Sequence, residues 1–490
     1  MSPRLDLLWR VARTPDAPAL ETPQATWSFA ELADRARRVA AYARAEPGAG
    51  PVALLLEGGA EFAAWFHGIA LAGRTVLPLN LRLTPGELVQ QLEDARAELL
   101  IGAASDPRLA LIAGRLPSLR IEPAPATEGL PASRGPDASP PGHAESTLAV
   151  LFTSGTSGRA KGACLSWRNF EASALAAEER LGPAVRERWL ACMPLFHVGG
   201  LSILMRSVMF GGAVRLHPRF DAAELGDALD AGDVAGVSLV PTMLARLLAL
   251  RGDRCAPPDL RVLLLGGAAA APELVRRALA AGYPVCPTYG LTEATSQVAT
   301  AAPPLAGALR PAPMRPLAGT EVRVVVGDGS SVPAGTPGEI TVRGPTVMQG
   351  YLHDAAGTAR ALRDGWLYTG DIGFLDADGG LQVLDRRDDL IVSGGENVYP
   401  AEVEAVLLEH PSVADAGVAG IPDADLGARV VAWIVASPGG VVDSASLSRH
   451  CRERLAGFKQ PREFRRVNEL PRNAAGKLRR RRLAEMTAEG

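Results

Sequence analysis

The sequence predicts an α/β protein in two parts. A large N-terminal domain of parallel α/β subdomains plus a β subdomain precedes a small, mobile α+β C-terminal domain. Three observations carry this reading. The chain has 490 residues, more than one hydrophobic core usually holds, so two or more domains are expected. Over its first part, short apolar runs alternate with amphipathic helical patterns, as in a parallel sheet covered by helices on both faces. From Thr320 the texture changes to short β runs separated by Gly, Pro and Asp, followed by the charge cluster Asp385-Arg386-Arg387-Asp388-Asp389. A charged segment leading to the glycine pair Gly394-Gly395 suits a linker that changes its backbone angles. The expected boundaries are therefore 1–385 for the N-terminal domain, with its β-rich part at about 320–385, then a hinge at 386–389 and the C-terminal domain at 390–490.

The elements follow in order. A helix is expected over 29–43, where Ser28 and Glu31 make a Ser-x-x-Glu capping pattern. Residues 52–56 read as a buried strand, 61–72 as a helix and 75–79 as the next strand. Thr84, Pro85 and Glu87 open a further helix, with proline at its first position. Residues 103–146 are rich in Ala, Pro, Ser and Gly, and 122–141 are expected to be an exposed, poorly ordered loop without an element. An apolar helix is expected over 201–209, and strands over 237–240 and 262–265. The runs 322–326, 338–342 and 381–384 predict a mostly antiparallel subdomain. In the C-terminal part, 402–408 is helical, and 413–418 and 430–436 are strand-like.

One stretch carries the most chemistry. After a buried-strand run at 148–152 come Thr153, Ser154, Gly155, Thr156, Ser157 and Gly158, then Lys161. Glycines let the backbone approach an anion, amides and hydroxyls donate to phosphate oxygens, and the lysine adds a point charge. A polar hairpin uses the same residue types, but their coincidence directly after a buried strand favours phosphate. The spacing is not that of a Walker loop, because the hydroxyls precede the lysine.

Other candidates lie downstream. His197 sits on an apolar run and reads either as a satisfied core histidine or, with Gly199-Gly200 after it, as a site residue at a helix start. Arg206 is the lone charge of the next helix, either a snorkelling side chain or a buried cation awaiting a carboxylate. Gly266-Gly267-Ala268-Ala269 follows a strand and suits a flat ring lying against backbone. In Thr288-Tyr289-Gly290-Leu291-Thr292-Glu293, Tyr289 offers a stacking face, Thr292 a hydroxyl and Glu293 an oxygen ligand for magnesium. Asp371, in a Thr-Gly-Asp, suits either a ribose or an ordinary turn.

Composition excludes several classes. Net charge is −3, which gives no reason to expect nucleic acid or an anionic membrane as partner. No apolar run reaches 18 residues, so no transmembrane helix is predicted, and the first ten residues do not read as a signal peptide. Cys164, Cys192, Cys255, Cys286 and Cys451 form neither a metal spacing nor a disulfide framework, which points to a reducing, cytoplasmic setting. Of 51 basic residues only Lys161, Lys459 and Lys477 are lysines. Where a chain uses arginine for every generic cation, each remaining lysine becomes a candidate for a site that needs a compact ammonium.

Taken together, these stretches resemble the adenylate-forming superfamily of acyl-CoA synthetases, in the superfamily's motif order and over nearly the whole chain. Ala160 replaces the usual proline before the loop lysine, and Pro311-Ala312-Pro313-Met314 replaces a glycine-rich approach to Arg315-Pro316. The resemblance implies an enzyme that couples a small carboxylic acid to CoA through an acyl-adenylate, using ATP and Mg²⁺. It implies that residues 153–158 and Lys161 hold pyrophosphate, and that Glu293 binds Mg²⁺. Asp371 and Arg386 would take the ribose, and Gly267, Ala268 and Tyr289 the adenine region, with Thr288 and Gly290 also in the cofactor-binding set. Lys477 would neutralise charge at the α-phosphate, with Thr292 and His197 also in the catalytic set. Asp388 would be the hinge, and Ser393, Gly394 and Gly395 would face CoA. His197, Arg206, Ser296 and Gln297 would line the acid pocket. Within the superfamily, the run from Met193 to Ser202 and the Ser296-Gln297 pair look most like a branch whose acid carries a second carboxylate. A different acyl- or aryl-CoA ligase would keep the ATP motifs and change that pocket. A peptide-synthetase adenylation domain would need a carrier domain, and none is expected after residue 490. A non-catalytic nucleotide-binding protein would have no use for Lys477.

Overall fold

The computed structural model describes residues 6–131, 144–153, 160–267, 270, 272–305, 307–327, 329–385, 391–437, 442–471 and 480–486. The chain divides into two compact units. One comprises Met1–Leu81, Leu92–Leu151 and Gly162–Leu384, and the other Arg82–Gln91, Phe152–Lys161 and Asp385–Gly490.

The first unit contains a nine-stranded sheet in the spatial order Arg315–Pro316, Ala299–Thr300, Val285–Tyr289, Val262–Leu265, Gly236–Leu239, Trp189–Ala191, Val214–Leu216, Pro18–Glu21 and Thr26–Ser28. The six strands from Val285–Tyr289 to Pro18–Glu21 run parallel, and the outer pairs are antiparallel. Val262–Leu265 and Gly236–Leu239 are buried along their whole length, as strands covered on both faces must be. A second sheet places Val76–Pro78, Val52–Leu55, Leu99–Gly102 and Arg120–Pro123 side by side in parallel. The third sheet is antiparallel and contains Glu321–Val325, Gly338–Arg343 and Trp366–Leu375. The alternation expected for the first 100 residues and the antiparallel texture after Thr320 are both found.

Local rules explain the element starts. Ser28 and Glu31 make the reciprocal capping box of the helix Phe29–Ala45. The helix Pro85–Ala95 begins the same way, with Thr84 and Glu87 exchanging bonds. The expectation of a loop over 122–141 needs correction at its start. Glu122 and Pro123 close the strand Arg120–Pro123, and Thr127–Gly129 forms a 3-10 turn. Thr127 is fully buried there because Glu61 accepts from both its backbone amide and its hydroxyl. That tie comes from a residue 66 positions away and leaves no local signature. Residues 132–141 lie outside the described residues.

In the second unit, Gly427–Ala436 pairs with Val413–Asp423, Ile391–Ser393 and Glu463–Arg466, and Ile391–Ser393 pairs in turn with Glu396–Val398. The helices Pro400–Leu408 and Ser444–Arg454 supply Val403, Leu407, Leu447 and Cys451 to the core against Val418, Val430 and Ala432. Lys459 is buried at 6 % exposure, with its ammonium 2.7 Å from both Glu402 and Glu87. Burial disfavours its charge, but the two carboxylates more than offset that and hold its pKa above the ordinary lysine value.

Candidate active site

The parallel strands of the nine-stranded sheet fix where the first unit's candidates gather. In such sheets ligands bind beyond the carboxyl ends of the strands. Trp189–Ala191, Val262–Leu265 and Val285–Tyr289 share one direction, so the segments that follow them leave the same edge. Those segments carry His197, Gly267, and the run from Gly290 to Gln297. Gly267 takes a positive φ of 83° directly after its strand.

Tyr289 ends its strand buried, and its hydroxyl donates to Asp371 Oδ2 across 2.7 Å. Asp371 is not in a turn. It lies in the middle of the long strand Trp366–Leu375, 6 % exposed, and its amide donates to Thr369 Oγ1 at 3.1 Å. Strand pairing on both sides overrides the turn preference of Thr-Gly-Asp.

After Tyr289 the chain folds back tightly. A Cβ on Gly290 would stand 1.5 Å from the Ser296 carbonyl oxygen, so no other residue fits. Inside this loop Thr292–Ala294 forms a 3-10 turn, and Thr295 and Ser296 both adopt positive φ, 47° and 86°. Thr295 is anchored there by its hydroxyl to the Thr346 carbonyl at 2.7 Å, while Ser173 Oγ donates to the Thr295 carbonyl at 2.7 Å. Such costly backbone persists only where surroundings over-determine it. The loop holds Glu293 buried at 7 % exposure, and Tyr351 donates to Glu293 Oε1 at 2.9 Å. No group of three or more possible metal ligands occurs among the described residues. One buried carboxylate alone suits Mg²⁺, which keeps waters and binds substrate phosphates rather than filling an all-protein cage.

Arg206 lies on the helix Val198–Phe210, which His197 opens as its N-cap residue. It does not snorkel. It is 5 % exposed, its guanidinium lies 4.8 Å from the centroid of the Trp189 ring, and Nη1 makes a long 3.5 Å bond to Gln297 Oε1. Its Nη2 has no hydrogen-bond partner among the described residues. Burial pulls its pKa down to about 10, and it stays charged at neutral pH. The helix C-terminus cannot satisfy it, because buried Arg10 already donates to the carbonyls of Val208 and Met209. Gln297 Nε2 is used by Thr300 Oγ1 at 2.9 Å, and Thr300 Oγ1 also meets Thr288 Oγ1 at 2.7 Å. The His197 ring packs against Phe196 with centroids 4.6 Å apart.

In the second unit, Thr153 Oγ1 donates to the Lys161 carbonyl at 3.4 Å. Ser393 is buried, and Gly394 and Gly395 turn the hairpin between Ile391–Ser393 and Glu396–Val398 with φ of 58° and 82°. Gly394 also donates its amide to the Leu426 carbonyl at 2.8 Å. Ser154, Gly155, Thr156, Ser157, Gly158, Ala268, Arg386, Asp388 and Lys477 lie outside the described residues. Tyr351, Trp189 and Thr300 are partners that sequence reasoning missed. Each belongs to no recognisable motif and meets its site only through the tertiary fold.

Comparison with known proteins gives the class of this chain. The sequence profile of the AMP-binding enzyme family matches residues 7–352, and that of the AMP-binding enzyme C-terminal domain matches 402–477. The chain belongs to the AMP-binding enzyme family. It is 41 % identical over 482 residues to the 2-succinylbenzoate–CoA ligase of Geobacillus kaustophilus, covering 97 % of this chain and 96 % of that protein. Among solved structures it is similar to an o-succinylbenzoate CoA synthetase from Bacillus subtilis, a double mutant bound to the product analogue OSB-NCoA. There the TM-score is 0.89 at 35 % identity, with 100 % of this chain and 99 % of that one covered. The same synthetase with the acyl-adenylate OSB-AMP gives a TM-score of 0.73 at 35 % identity and the same coverage. With ATP and magnesium it gives 0.73 at 36 % identity, covering 98 % of this chain and 99 % of that one. Among the described residues, no helix is long and apolar enough to cross a membrane.

Proposed function

We propose that this chain is an ATP-dependent ligase that joins o-succinylbenzoate to CoA through an acyl-adenylate, releasing AMP and pyrophosphate. The observation that carries the choice of acid is Arg206. o-Succinylbenzoate has one carboxylate to activate, on the succinyl arm, and one that stays on the ring. Burying that passenger charge requires a cation, since an unpaired buried charge is costly. Arg206 is a buried guanidinium whose Nη2 has no hydrogen-bond partner among the described residues. An alkyl-chain ligase would have no use for it. By resemblance, the reaction belongs to menaquinone biosynthesis.

The residues then divide the work. Adenylation needs positioning and charge neutralisation more than a protein nucleophile. Residues 153–158 and Lys161 bind the pyrophosphate end of ATP. Gly267, Ala268, Thr288, Tyr289 and Gly290 surround the adenine, and Asp371 and Arg386 take the ribose, with Tyr289 fixing the Asp371 carboxylate. Glu293, oriented by Tyr351, holds Mg²⁺, which neutralises phosphate charge. Thr292 and His197 border the reacting acid, and Ser296 and Gln297 join Arg206 around its ring. Lys477 stabilises charge at the α-phosphate during adenylation. Ser393, Gly394 and Gly395 face CoA in the second half-reaction. Residues 1–385 form the ATP- and acid-binding domain and 390–490 a lid, joined by a hinge at 386–389 centred on Asp388. Five free cysteines support a reducing, cytoplasmic setting.

The test is CoA consumption by purified protein with ATP and Mg²⁺, offered o-succinylbenzoate, benzoate, cinnamates and fatty acids. o-Succinylbenzoate should give the highest kcat/KM. A preference for a monocarboxylic acid would leave an acid–CoA ligase of another specificity.

A further inference from the structure

We propose that Ser202 is a second donor to the ring carboxylate, so that Ser202 and Arg206 form a two-point anion subsite on one face of the helix Val198–Phe210. This rests on the acid assignment above and refines it. Ser202 is 4 % exposed, and its Oγ has no hydrogen-bond partner among the described residues. A serine buried in a helix ordinarily bonds back to the carbonyl four residues earlier, and Ser202 does not. Arg206 Nη2, also buried, is unpartnered in the same way. Residues four apart on a helix are neighbours on one face, so Ser202 and Arg206, each with an unsatisfied buried donor among the described residues, share one face of an otherwise apolar stripe. Nearby polar groups are committed elsewhere. Ser207 Oγ donates to the Gly212 carbonyl at 2.6 Å, Trp189 Nε1 to Ser238 Oγ at 3.2 Å, and Gln297 Nε2 to Thr300 Oγ1 at 2.9 Å. Buried polar groups are otherwise almost always paired. A guanidinium edge and a freely rotating hydroxyl match the two oxygens of one carboxylate.

The experiment compares o-succinylbenzoate with 4-oxo-4-phenylbutanoate, which lacks only the ring carboxylate. Ser202→Ala should raise KM for o-succinylbenzoate about tenfold, leave kcat and the KM for ATP nearly unchanged, and leave kcat/KM for 4-oxo-4-phenylbutanoate unaltered. Ser202→Cys, nearly isosteric and a weaker donor, should fall between the two. In an Arg206→Leu background, Ser202→Ala should add little, because both donors serve one carboxylate. Equal losses for both acids would make Ser202 a packing residue, and no loss for either would remove it from the subsite. In both of those cases the acid assignment stands, provided wild type uses o-succinylbenzoate. Wild type that ignores o-succinylbenzoate overturns the assignment and this inference together.

Discussion

Tyr289 and Asp371, 82 residues apart, are joined by a buried 2.7 Å hydrogen bond that links the end of a parallel strand to the middle of an antiparallel one. The bond aims a buried carboxylate that we assign to the ribose. Tyr289→Phe keeps the ring and removes only the donor. A bond to a charged group contributes about 1.5–3 kcal/mol, so kcat/KM for ATP should fall roughly ten- to a hundredfold. KM for the acid should stay constant. An unchanged ATP dependence would show that this bond serves the fold alone.

Arg206→Leu removes the buried cation but keeps apolar volume. We expect kcat/KM for o-succinylbenzoate to fall about a hundredfold, matching loss of roughly 3 kcal/mol from a charge-assisted pair. The KM for ATP should hardly move. Wild-type turnover by this variant would refute the carboxylate pairing.

Lys477→Ala should abolish acyl-adenylate formation, followed by pyrophosphate release. Thioester formation from supplied acyl-adenylate should survive, since the lysine's charge is needed where the α-phosphate is attacked. Equal loss in both half-reactions would assign Lys477 a different role.

His67 gives a pH prediction. It is buried on the helix Ala60–Leu71 beside Phe66, and burial lowers its pKa from 6.5 to about 4. The folded state therefore binds its proton less readily than the unfolded state. The neutral ring costs nothing above pH 6.5, and stability is lost as pH falls from there towards 4. At pH 5 this one group should lower stability by about 2 kcal/mol relative to pH 7. Denaturant unfolding at the two pH values should show that drop in wild type and a smaller drop in His67→Leu. Equal drops would mean that His67 does not sense pH in this range.

Much of this protein was written locally. Alternating apolar runs determined the parallel sheets, because period and length distinguish strand from helix without any partner. Ser28 with Glu31, and Thr84 with Glu87, determined two helix starts, since a capping box closes within four residues. The order of the motifs identified the family. The tertiary structure decided what depends on distant partners. It placed Asp371 in a strand under Tyr289, tied Thr127 to Glu61, and set Tyr351 on Glu293. Above all, it decided that Arg206 is a buried cation rather than a snorkelling one. A lone arginine on an apolar helix reads the same in either case. Only the Trp189 ring beneath it, and Arg10 occupying the helix end, leave its guanidinium enclosed with an open hydrogen-bonding edge.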